Sequence, residues 1–279
     1  MKFFYPKIKK SHMQINKLAL ALGTAALLCS GSAFSSELST PAAQATPVAP
    51  QKAQGVRSQN VIDRISEMGE SLRELRTFTL QMDTTTDVIV DNNQKIKTSA
   101  TKNIYIIGSN HLRLDIDGEF LKRNYYFDGS HFSLYTPGLG YYTTIPFEGT
   151  SDELLNHLIA QFNLKLPLED LFMLGKDQAS LDSIESAAYI ATVKINDKRC
   201  DHVAFRQGKK NWQLWISWGE KPMPCKMVVT STEEAVQPEY SAVFAWNKLP
   251  NQPRSGFTFH PKKQDMKVDL TKEAESLVK

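Results

Sequence analysis

Residues 200–231, CDHVAFRQGKKNWQLWISWGEKPMPCKMVVTS, decide the fold. They predict three consecutive antiparallel strands: 201–207, a turn at Gly208-Lys209-Lys210, 211–218, a turn over 219–224 holding Pro222 and Pro224, and 225–230. Val, Ile, Phe and Trp fill the strands, and Gly, Pro and Lys fill the connections. Facing Gln207 with Asn211 sets Ala204 against Leu214, His202 against Ile216 and Cys200 against Trp218. Facing Trp218 with Cys225 sets Ile216 against Met227 and Leu214 against Val229. One face then carries His202, Ala204, Leu214, Ile216, Trp218, Met227 and Val229, and the other Val203, Phe205, Trp215 and Val228. Both are apolar, which a half-solvated sheet does not need, so each side is covered or one lines a pocket.

Working outward, apolar residues from Val61 to Phe78 recur at spacings of three and four, with acids and arginines between them. This predicts an amphipathic helix of about five turns, with Ser58 or Asn60 as its N-cap. Alternating runs follow at 78–90, 95–107, 111–116, 120–127, 131–136 and 141–145, separated by turns such as Asp91-Asn92-Asn93 and Pro137-Gly138-Leu139-Gly140. They predict a six-stranded meander. Ser151 then caps a helix over 151–162, and Pro167 and Gly175 bracket a second short helix over 167–174. After a turn over 181–187, strands resume at 188–195, continue through the three above, and end with 239–247, 256–260 and 266–270. The fold class is α+β. A sheet of about 11–12 antiparallel strands twists and curls into a half-barrel, and the striped helices have the concave face to cover.

The segments CDHVAFRQ (200–207), NWQLWISWG (211–219), PMPCKMVVT (222–230), PEYSAVFAWN (238–247) and FTFHP (257–261) resemble a family of predicted periplasmic proteins of unknown function, itself similar to the LolA-like lipoprotein carriers. The resemblance spans about residues 60 to 270. It implies a LolA-like fold and an apolar class of ligand, and it supplies no catalytic residues.

The chain has 33 basic and 30 acidic residues. Five of the bases lie before residue 34, where there is no acid, so the rest carries 28 against 30 and offers nucleic acid no electrostatic footprint. A basic stretch to Lys17, an apolar stretch over 18–28 and Gly31-Ser32-Ala33 form a signal peptide over residues 1–33. Met13 is a second possible start. Cys29 raises a lipoprotein anchor, which the bulk of Leu28 before it disfavours. Residues 34–58, rich in Ala, Pro, Ser and Gln, form a disordered linker, and 59–279 form one domain. No later stretch is long and apolar enough to span a bilayer. The two remaining cysteines, Cys200 and Cys225, are a candidate disulfide. Their even count in an exported protein favours it. The register separates their Cα atoms by about 10 Å, beyond a bridge's reach unless a bulge or curled edge closes the gap.

The six histidines are scattered, with no metal-ligand spacing. His202, beside Cys200 and Asp201, is the one candidate for hydrolytic chemistry, and no nucleophile elbow accompanies it. No metal, cofactor or enzymatic activity is expected. The aromatic-rich curled sheet under helices fits a cavity with few polar groups. Its candidate lining is Leu214, Ile216, Trp218, Met227, Trp246, Leu155, Leu158 and Phe172. The expected function is an exported periplasmic protein holding a lipid, an acyl chain or a lipidated protein between sheet and helices. A filled structural or partner-binding module of the cell envelope is the alternative, and a hydrolase using His202 a distant third.

Overall fold

The computed structural model describes residues 56–90, 93–162, 181–247 and 254–269. Among them are two α-helices, α1 (Gln59–Glu74) and α2 (Ser151–Phe162). The first meander is β1 (Thr77–Ile89), β2 (Lys95–Ile107), β3 (His111–Gly118), β4 (Lys122–Phe127), β5 (His131–Thr136) and β6 (Tyr141–Pro146). The second is β7 (Ser186–Ile195), β8 (Lys198–Gln207), β9 (Lys210–Ser217), β10 (Pro224–Ser231) and β11 (Glu239–Asn247), and β12 (Met266–Lys267) follows. All twelve form one sheet in the order β12-β6-β5-β4-β3-β2-β1-β11-β10-β9-β8-β7. The expected class, one large antiparallel sheet with helices on its inner face, is the class observed.

β1 is the pivot. It pairs with β2 over its whole length, from Thr77↔Ile107 to Ile89↔Lys95, and with β11 from Thr79↔Asn247 to Thr86↔Tyr240. The two meanders thus join through one central strand, which leaves β7 and β12 as the sheet's edges. On the β7 edge, Arg57 bridges Ala187 in parallel. The inner face carries the main core, in which Ile65, Met68 and Leu72 of α1 and Leu154 and Leu158 of α2 join Leu80, Ile104, Leu114, Leu214 and Met227 of the sheet.

The hairpin registers differ from the expectation. Gln207 faces Lys210, because Gly208, at φ +55, opens a two-residue turn in place of three. One residue of slip turns every side chain of β8 over. Val203, facing Leu214, and Phe205, facing Trp212, therefore lie on the inner face, while His202 and Ala204 lie outside. In the next hairpin Met227, not Val229, faces Leu214, because the long turn ends in an irregularity between Pro224 and Lys226. Cys225 sits in that irregularity, and Cys200 faces Ser217 rather than Trp218. Their Cα atoms are 6.7 Å apart and the sulfurs are bonded. The bulge closes the separation that a regular ladder would impose.

Four boundaries also move. α1 ends at Glu74, with Leu75 extended, because Phe78 belongs to the strand alternation and pairs with Ile106. The N-cap of α2 is Thr150 rather than Ser151. Thr150 Oγ1 accepts from the Glu153 N–H (3.2 Å), and Glu153 Oε2 accepts from the Thr150 N–H (2.8 Å). Residues 256–260 are not a strand: Arg254–Phe257 is a 3-10 turn, whose Phe257 is buried against His111. β12 is short and runs parallel to β6, Met266 facing Tyr141. The helix expected over 167–174, Phe172 included, lies outside the described residues.

Candidate ligand-binding face

Because cross-strand partners point to the same side, the ladders define rows across the inner face. Phe78, Ile106, Leu112, Phe127, Phe132 and Ile145 form one row from β1 to β6. Leu80, Ile104, Leu114, Tyr125, Leu134 and Thr143 form the next. The third differs: Met82 faces Lys102, Lys102 faces Ile116 and Ile116 faces Arg123. The register of β4 and β5 sets Thr136 beside Arg123. The inner face is thus apolar in two rows and basic in the third.

Lys102 is half-buried, and dehydration lowers its ammonium from a lysine's ordinary 10.5 to about 8. No acid offsets that shift, and the ammonium's partner among the described residues is the Tyr240 ring, 5.5 Å from its centre. Arg123 is buried with 7% exposure. The buried polar atoms without a hydrogen-bond partner among the described residues include Thr136 Oγ1 and Trp212 Nε1. Such groups weaken a fold by about 1–3 kcal/mol each unless something completes them.

The expected lining residues divide. Leu214, Ile216, Met227 and Leu158 are buried in the inner core, and Leu155 and Trp246 are half-buried against it. The Trp246 N–H donates to the Pro224 carbonyl at 2.8 Å, which orients the ring toward Phe78. Trp218 is a correction. It lies beyond the end of β9 at 49% exposure, its ring under the Arg199 guanidinium at 3.7 Å and its N–H donating to Asp201 at 2.8 Å. It marks the sheet's margin and does not line the interior. Phe172 lies outside the described residues.

His202 lies on the outer face, stacked on Trp215 at 4.0 Å and hydrogen-bonded to Gln213 at 2.9 Å. Lys226 approaches the same ring at 4.8 Å, and the disulfide and Val228 complete this second cluster. The other end of the outer face is covered from the C-terminal side, where Phe259 packs on Tyr126, Tyr135 and Tyr142. Both apolar faces are therefore covered, the inner by helices and the outer partly by chain 254–267.

Lys102 and Arg123 did not enter the expected lining, although sequence parity marks them. Lys102 shares its parity with Ile104 and Ile106, and Arg123 with Tyr125 and Phe127. A cation on the apolar parity of a strand was the signal.

The family model described as predicted periplasmic protein (DUF2092) matches residues 62–271. No curated protein matches the sequence. Solved structures similar in part include MucB, at 10% identity and TM-score 0.40 over 74% of this chain and 65% of that one. Others are the Mycobacterium tuberculosis lipoprotein LppX (11%, TM-score 0.36, 69% and 97%) and a LolA superfamily protein from Nitrosomonas europaea (9%, TM-score 0.32, 73% and 98%). The chain thus spans just under two thirds of the length of MucB.

Proposed function

Since the chain belongs to the DUF2092 family of predicted periplasmic proteins, matched over residues 62–271, we propose that it is exported through a signal peptide cut near Ala33 and binds a lipid, an acyl chain or a lipidated protein against the inner face of its sheet. The observation that carries this reading is the thin attachment of α2 over a continuous apolar wall. Its fully buried apolar side chains are Leu154 and Leu158, with Leu155 and Phe162 half-covered. Burying two leucines stabilises by about 4 kcal/mol. An acyl chain gains about 0.8 kcal/mol per buried methylene, so a chain of about ten methylenes outweighs what α2 gives up when it lifts. A ligand of this kind needs no metal, cofactor or nucleophile. Among the described residues no helix is long and apolar enough to cross a membrane.

The test is native mass spectrometry of protein purified from the periplasm without detergent, followed by organic extraction of the denatured sample. A co-purifying acyl species supports the carrier reading, and the denatured mass reports the leader cleavage point and any lipid on Cys29. A bare mass, with no thermal stabilisation by fatty acids, transfers support to the second reading, a filled module docking on an envelope partner. That reading is favoured by the tight interior, where Leu80, Ile104, Leu114 and Leu158 are all buried at 0–1% exposure.

A further inference from the structure

We propose that one end of the sheet docks on a phospholipid surface, with the β3–β4 turn, the β5–β6 turn and the start of β12 entering the head-group layer. The proposal concerns a different surface from the inner face and stands whether or not that face takes a ligand.

The β3–β4 turn carries Phe120, 76% exposed, and the exposed Leu121. The β5–β6 turn carries Leu139, 65% exposed, and Tyr141 opens β6 beside it. Met266, 59% exposed, faces Tyr141 across the β12–β6 ladder. Carrying the β4–β5 register two residues past Asn124↔Tyr135 sets Lys122 beside Pro137. Both turns therefore project beyond the same row, at the same end of the sheet. Their centres lie two strand spacings, about 10 Å, apart.

These side chains stand in water on a backbone that is held. The Gly118 N–H donates to the Leu121 carbonyl at 3.0 Å and the Glu119 N–H to the Ser99 carbonyl at 3.2 Å. The Glu119 carboxylate accepts the Ser99 N–H at 2.9 Å. In the other turn the Leu139 and Gly140 N–H groups both donate to the Thr136 carbonyl, and the Met266 N–H donates to the Gly140 carbonyl at 2.8 Å. An apolar group fixed in water opposes solubility, and grouped on one end it marks a contact surface.

The charges around it select the partner. Lys262, Lys263 and Lys267 are exposed about Met266 and make no ion pair among the described residues. Asp265, between them, accepts the Lys262 N–H at 2.7 Å and the Tyr135 hydroxyl at 3.3 Å, and Asp269 follows on β12's far side. Lys122, two residues from Phe120, is exposed and pairs with Asp117 at 2.7 Å. Lysine is depleted from interfaces between proteins, which favour a continuous apolar centre. Separate apolar tips edged by free lysines suit a bilayer instead: the tips reach the acyl boundary and the ammonium groups stay at the phosphates. The same turns close the end of the inner face two residues beyond Ile116. A docked molecule thus presents that end of the inner face at the lipid surface.

The experiment sediments the full mature chain at neutral pH with vesicles of equal parts phosphatidylcholine and phosphatidylglycerol. The parent should pellet with the vesicles. Phe120→Ser with Leu139→Ser should weaken vesicle affinity by about tenfold or more. Lys262→Gln with Lys263→Gln should weaken it by roughly tenfold at low salt, and by less as salt screens the charge. All four residues are exposed, so both variants should melt as the parent does, and palmitate titration by tryptophan fluorescence should match the parent's. A parent that stays in the supernatant, or either variant pelleting like the parent, overturns the proposal. So does self-association of the parent that Phe120→Ser with Leu139→Ser abolishes, which would make these tips a contact between two copies. Vesicle binding without palmitate binding supports the docking surface and counts against the carrier reading alone.

Discussion

The ammonium of Lys102 stands 5.5 Å from the centre of the Tyr240 ring, on the face of the sheet that otherwise carries the apolar core. Its ammonium loses protons at about 8, well below a lysine's ordinary 10.5, because burial disfavours the charge and no acid compensates. The unfolded chain then binds more protons than the folded one between those two values. Below about pH 8 both states are charged and the folded state bears the full penalty, which fades as pH rises toward 10.5. Lys102→Met should therefore be more stable than the parent at pH 7, by roughly 1–3 kcal/mol. Urea denaturation across pH 7–10 checks this. The gap should close with rising pH, and a constant gap, or none at pH 7, contradicts the account.

Cys200 and Cys225 tie β8 to β10 across β9, closing a loop of sequence separation 25. A loop of that length corresponds to about 3 kcal/mol of stabilisation through the unfolded chain. Cys200→Ser with Cys225→Ser should lower stability by about that amount and match the reduced parent protein in a melt. Reduction that leaves the parent's melting temperature unchanged would argue against a bridge in the mature protein.

Apart from the strand expected over 256–260, the strand sequence and fold class were readable from alternation and turn residues, because a period of two and a Gly-Lys or Asn-Asn break are local signals. What failed was register. Choosing three turn residues at Gly208-Lys209-Lys210 rather than two placed His202 on the inner face, and only the backbone conformation of Gly208 distinguishes the two. The bulge at Cys225 was equally illegible, since the disulfide partner that favours it comes from a strand two places away. On the inner face the apolar members Leu214, Ile216 and Met227 were found by hydrophobicity. Lys102 and Arg123 were passed over for the same reason: a search for apolar residues discards the charges that share their parity. Trp218 went the other way, an aromatic counted as lining that packs on Arg199 at the margin.

Asp87 is a buried carboxylate on the outer parity of β1, 3.0 Å from Lys97, 3.3 Å from Lys95 and accepting the Glu239 N–H at 3.0 Å. Burial raises its proton affinity, but the lysines and the backbone N–H outweigh it, so its pKa lies below the ordinary 3.8. Its stabilisation is therefore present above the ordinary carboxylate range and is lost as pH falls through the depressed value. Asp87→Asn should cost about 2 kcal/mol at pH 7, since both lysines are partly solvated and tolerate its loss. Denaturation of parent and variant from pH 7 to pH 2 should show the difference shrinking in acid. A difference that grows on acidification would reverse the assignment.

The last prediction concerns α2, whose N-terminus is fixed by the reciprocal bonds between Thr150 and Glu153. The Glu153 carboxylate is held below its ordinary range first by the Thr150 N–H and then by the Thr150 hydroxyl. The cap is thus complete at neutral pH and opens as pH falls through that depressed value. Thr150→Ala removes the hydroxyl that accepts from the Glu153 N–H and donates to the Glu153 carboxylate, keeps the Thr150 N–H bond to that carboxylate, and should cost the helix about 1 kcal/mol. Because two leucines do most of the anchoring of α2, the loss should appear locally. Amide exchange in residues 151–162 should accelerate about fivefold, while the central strands β1, β2 and β11 keep their protection. If α2 lifts to admit a ligand, the same variant should take up palmitate faster, since closed α2 is the state that blocks entry. Uniform acceleration across the sheet would mean that α2 is part of one cooperative core rather than a cover over it. Faster local exchange without faster uptake would place the entry route elsewhere on the fold.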